Sequence, residues 1–88
     1  MSDETRPEPA AIRAEILRLA GARGARKTFC PSEVARALAP DAWRPLMGPV
    51  RAAAVSLARE GRLDVLRKGK PADLDLLRGV IRLRARGA

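Results

Sequence analysis

The hydrophobic period of this chain changes once, at Gly61, and that change constrains the fold more than any other feature. Before it, apolar residues recur at helical spacing: Ile12, Ile16 and Leu19, then Leu46, Val50, Ala53 and Leu57. After it, Leu63 and Val65 alternate within Arg62–Arg67, and Ile81 and Leu83 within Val80–Arg84, as residues on one face of a strand do. Helices followed by a strand pair make an α+β arrangement.

Local punctuation divides the helical part into three. A first helix is predicted from about Pro9 to Ala20, because proline is tolerated in a first turn and Gly21 and Gly24 can end it. Arg26-Lys27-Thr28-Phe29 reads as a short strand. Pro31-Ser32-Glu33 opens a second helix with Cys30 in the capping slot; Val34, Ala35 and Leu38 face inward and Pro40 stops it. Asp41 is placed to cap a third helix reaching about Glu60, with a first turn near Ala42–Met47 and a kink or restart at Gly48-Pro49. Trp43, at the edge of its apolar stripe, is expected to be a partly buried anchor. Gly69-Lys70-Pro71 is a turn signal, and a loop of roughly ten residues leads to the last strand. The order is that of a winged helix-turn-helix, a three-helix bundle with a C-terminal β-hairpin wing from about Arg62 to Arg84. Residues 1–8 are expected to be a flexible tail, 9–84 the domain and 85–88 a second tail.

The 88 residues are enough for one domain with a small core. The net charge of +8 is uneven. Residues 62–88 hold eight basic and three acidic side chains, more than half of the excess. Such a field concentrates polyanions near the wing. A bland origin competes with this reading: Ala, Arg, Gly and Pro supply 46 of the 88 residues, as GC-rich codons would dictate.

Other chemistries are poorly provided for. With no histidine and one cysteine, neither a zinc site nor a cysteine nucleophile with its base can be assembled, so no metal, cofactor or catalytic residue is expected and the chain reads as a non-enzyme. No phosphate-binding glycine loop and no small-molecule substrate site is evident. No apolar run approaches the roughly 20 residues that span a bilayer, and the polar start lacks the character of a signal peptide. A lone thiol fits a reducing compartment, so a cytoplasmic location is expected.

If the chain reads nucleic acid, its third helix is the recognition helix. Arg44, Arg51 and Arg59 lie opposite the apolar stripe among small residues, and arginine bonds guanine bidentately or grips phosphate. On the wing, Arg67, Lys68, Lys70 and Arg78 suit phosphate contact. Duplex DNA is thus the expected partner. The bland counterparts, a solvated helix face and edge lysines that prevent strand pairing, stay open. The segment Asp73-Leu74-Asp75-Leu76-Leu77 does not suit DNA. Either Asp73 caps a turn that tucks Leu74 and Leu77 inward, or Leu74, Leu76 and Leu77 form an exposed contact for a protein partner or a second copy.

Several motifs together resemble a family of small bacterial proteins of unknown function. They are Lys27-Thr28-Phe29-Cys30-Pro31-Ser32-Glu33-Val34-Ala35, Trp43-Arg44-Pro45-Leu46-Met47 with Val50-Arg51, Gly61-Arg62-Leu63, and Arg78-Gly79-Val80-Ile81-Arg82-Leu83. The resemblance covers about residues 10–84 and departs from the family pattern at Val80, where the family pattern has a proline. It implies a winged-helix fold and a bacterial origin, and carries no functional residue with it.

Overall fold

The computed structural model describes residues 7–87. The architecture is α+β: three α-helices and a three-stranded antiparallel sheet. Helix α1 spans Pro9–Arg23, α2 Pro31–Leu38, and α3 Met47–Arg59, the last preceded by a 3₁₀ turn at Arg44–Leu46. Strands β1 (Leu63–Arg67), β2 (Lys70–Pro71) and β3 (Arg82–Ala85) form a sheet in the order β2-β1-β3. The helices pack on one another, and the sheet closes against α1 and α3. Among the described residues, no helix is long and apolar enough to cross a membrane.

The first helix runs to Arg23 rather than Ala20. Gly21 lies inside it, and termination falls to Gly24, whose φ of +83° suits a residue without Cβ. Its buried face is Ile12, Ile16 and Ala20, with Leu19 only half-buried. Glu8 closes the N-terminus through its carbonyl, which accepts from the N–H groups of Ala11 and Ile12. The rest of the expected N-terminal tail, residues 1–6, lies outside the described residues.

The expected strand at Arg26–Phe29 reduces to one bridge. Phe29 and Leu83 exchange two backbone hydrogen bonds of 2.8 Å, which tie the entrance of α2 to the edge of β3. Helix α2 starts as its sequence dictates: the Glu33 carboxylate accepts from the Cys30 backbone N–H at 3.0 Å. It ends one residue before Ala39, which leaves the helical region as a residue preceding proline is driven to do.

Asp41 caps nothing; it is exposed, and the 3₁₀ turn begins after Trp43. The chain passes from that turn into α3 at Met47 without breaking at Gly48-Pro49, because Pro49 sits in the first turn, where its missing N–H has no helical partner. The buried stripe is Leu46, Val50, Ala54 and Leu57, not Ala53. At about 100° per residue Ala54 lies about 40° from Val50, whereas Ala53 lies about 60° from it on the other side.

The hairpin turn is Lys68-Gly69, one residue earlier than expected. Arg67 pairs with Lys70, and both turn residues have positive φ, the pattern of a type I′ turn. Lys70-Pro71 then forms a two-residue edge strand whose proline offers no N–H to a further strand. The last strand starts at Arg82, leaving Val80 exposed, and continues to Ala85, past the expected end of the domain. Leu63, Val65, Leu66, Ile81 and Leu83 are buried from the sheet side. All of these but Leu66 join Phe29, Val34 and Leu57 in one core, each large side chain worth about 1.5–3 kcal/mol of burial.

Candidate nucleic-acid interface

Cations differ in this molecule by whether a carboxylate holds them. Arg13 donates to Glu60 at 2.8 Å, Arg18 to Glu15 at 2.6 Å and Arg23 to Glu33 at 2.6 Å. Asp64 takes both Arg84, its cross-strand partner, at 3.0 Å and Arg86 at 2.9 Å. Glu60 also approaches Arg62 at 3.8 Å. Glu60 and Asp64 are thus ion-pair hubs. The expected C-terminal tail is tied in by the second of them. The carboxyls respond accordingly: the Arg18 hydrogen bond lowers Glu15, the Cys30 N–H and then Arg23 lower Glu33, and the Arg13 hydrogen bond lowers Glu60.

The residues singled out in the sequence divide along the same line. Arg44, Arg51, Arg67, Lys68, Lys70 and Arg78 have no carboxylate partner among the described residues. Arg59 has one: it donates to Asp75 at 2.6 Å across the surface. Arg51, half-buried on α3, donates to the Gly79 carbonyl at 3.2 Å. Arg67, at the end of β1, lies against the same glycine, where a Cβ would stand 2.9 Å from its guanidinium. Gly79 therefore joins Arg51 of α3 to Arg67 of the hairpin.

These contacts also define the path of residues 72–81. Asp75 sits by Arg59, and Gly79 by Arg51, eight residues earlier on α3. The loop therefore runs antiparallel along α3, covering about 12 Å of it at 1.5 Å per residue. A turn initiated by Asp73 shapes its start: the Asp73 carboxylate accepts from the Asp75 N–H at 2.9 Å. Leu74 and Leu77 pack against the core, and Leu76 remains 61% exposed. The three leucines therefore do not form one patch. Arg67, Asp73, Leu76, Leu77 and Arg78 line a cavity of about 290 Å³ beside the hairpin.

Sequence reasoning missed Arg36. Its guanidinium lies 4.3 Å from the centre of the Trp43 ring, and that of Arg44 lies 4.6 Å from the same centre. Trp43 is thus half-buried under two cations. The i-to-i+7 step from Arg36 to Trp43 was the available signal, but Pro40 and the intervening turn interrupt any helical reading of it. On the sheet, Arg82 is held by Thr28, donating to its hydroxyl at 3.0 Å and its carbonyl at 3.1 Å.

A comparison with curated proteins finds no match. The model of a family described as "Protein of unknown function (DUF3253)" matches residues 9–86, which span all three helices and the sheet. The chain belongs to the DUF3253 family.

Proposed function

We propose that this chain is a non-catalytic winged helix-turn-helix module that binds duplex DNA, with α3 in the major groove and the β1–β2 hairpin on the sugar–phosphate backbone. One observation carries this reading: Arg51 of α3, Arg44 of the turn before it, and Arg67, Lys68 and Lys70 of the hairpin have no carboxylate partner among the described residues, and Gly79 makes α3 and the hairpin adjoin. Charges spent on internal pairs release no counterions from DNA, whereas Lys68, Lys70 and Arg78 are exposed and free to do so. Arg59 enters the contact only if its pair with Asp75 opens. That costs little, because exposed ion pairs are worth about 0–1 kcal/mol. The reading includes no metal, cofactor or small-molecule substrate, and it places the protein in the cytoplasm.

Titration of a fluorescently labelled duplex with the wild type and Arg51→Ala tests it. Loss of about 1–3 kcal/mol is expected if Arg51 touches a base. Unchanged affinity at low salt would remove Arg51 from the contact.

A second reading rests on Leu76 and Val80, which are 61% and 78% exposed on one loop. A protein partner or a second copy docking there would use these two side chains rather than Leu74 and Leu77. Light scattering of the wild type and Leu76→Lys checks for self-association; a monomeric wild type counts against the second copy.

A further inference from the structure

We infer that Arg36, Trp43 and Arg44 form a second, preorganised phosphate grip, one that holds the sugar–phosphate backbone beside the α3 contact. The inference rests on the duplex-DNA reading and adds to it a site on α2 and the 3₁₀ turn.

Three observations carry it. First, stacking uses the face of a guanidinium and leaves its N–H groups free, since all five donors lie in its plane. Neither Arg36 nor Arg44 makes a hydrogen bond or an ion pair through its side chain among the described residues. Both therefore present unspent donors, unlike Arg13, Arg18 or Arg84. Second, the two cations lie 4.3 and 4.6 Å from one ring centre, so they are at most about 9 Å apart. An aromatic surface that fixes two flexible side chains lowers the ordering cost of binding. Third, the 3₁₀ turn bearing Arg44 runs directly into α3 at Met47, and α2 packs on both. The grip therefore moves rigidly with the helix proposed to enter the groove. Two guanidiniums at most about 9 Å apart can each donate to the singly charged, tetrahedral phosphate groups that follow one another along a nucleic-acid strand.

The residue that builds the grip also reports on it. Trp43 is the only tryptophan, and the chain has no tyrosine. Emission of Trp43 is followed while an unlabelled duplex is added at about 50 mM salt, and anisotropy of a labelled duplex is followed in parallel. The expected result is a saturable change in Trp43 emission with the same midpoint as the anisotropy. Arg36→Gln and Arg44→Gln, first shown by circular dichroism to be folded, are each expected to weaken binding roughly fivefold or more and to lower the salt slope by about one. Arg18→Gln, on a paired arginine of α1, is expected to change neither. Binding seen by anisotropy with a silent Trp43 and unchanged affinity of both variants would overturn the grip and leave the α3 contact standing. Absence of any anisotropy change would overturn both. A polyglutamate that moves Trp43 at the same midpoint as the duplex would overturn the assignment to phosphodiesters in favour of an acidic protein surface.

Discussion

Gly79 illustrates how much one residue can carry. Its φ is +75°, its carbonyl holds Arg51, and the Arg67 guanidinium lies where its Cβ would be. Gly79→Ala is expected to lose about 1–2 kcal/mol, chiefly from the left-handed backbone, since the end of an arginine side chain can shift aside. Gly21→Ala is the contrast: it lies in α1 with open space around it and is expected to gain up to about 1 kcal/mol. Urea denaturation of the two variants checks the opposite signs. Lys68 is the one non-glycine with positive φ among the described residues, at +54°. Lysine there is costly to the turn, and asparagine adopts that backbone more readily. Lys68→Asn is therefore expected to raise stability by a few tenths of a kcal/mol and to lower the salt slope of duplex binding by about one, which thermal melts and titrations would measure together.

At the scale of elements, the start of α2 hangs on Glu33. Its carboxyl is lowered by the Cys30 N–H and then by Arg23. A lowered carboxyl stabilises the fold fully above its ordinary value of 4.5 and loses that contribution as pH falls through the folded value. Glu33→Ala is expected to cost about 1 kcal/mol at neutral pH, with the deficit shrinking below about pH 4.5 in pH-dependent urea melts. The loop along α3 gives a second expectation. Asp75→Asn frees Arg59 and removes a charge that repels phosphate, so duplex affinity should rise; a fall in affinity would mean that the pair positions Arg59 for the contact. Elements were legible in the sequence where their chemistry is local. The α2 cap is of that kind, Cys30 to Glu33 lying three residues apart. The strands are too, because alternation needs only neighbours. The end of α1 differs from the sequence reading because two glycines offer the same signal, and the second of them, Gly24, ends the helix. The turn was misread because lysine seldom adopts positive φ. The return of residues 72–81 along α3 was invisible, since Arg51–Gly79 and Arg59–Asp75 are contacts 28 and 16 residues apart in sequence.

For the whole molecule, the net charge of +8 matters less than where it is left unpaired. The sequence located the excess in the last third, yet Arg84 and Arg86 of that third are committed to Asp64. Arg36 and Arg44 lie outside it and carry no carboxylate. Codon bias can supply many arginines, but it does not decide which of them find a partner. On the duplex-DNA reading, the unpaired set meets phosphates. The direct measurement is the affinity of a labelled duplex for the wild-type chain between about 50 and 200 mM salt. With roughly five phosphate contacts, the binding constant is expected to fall several hundredfold over that range. A duplex that stays unbound at about 50 mM salt, or an affinity indifferent to salt, would contradict it.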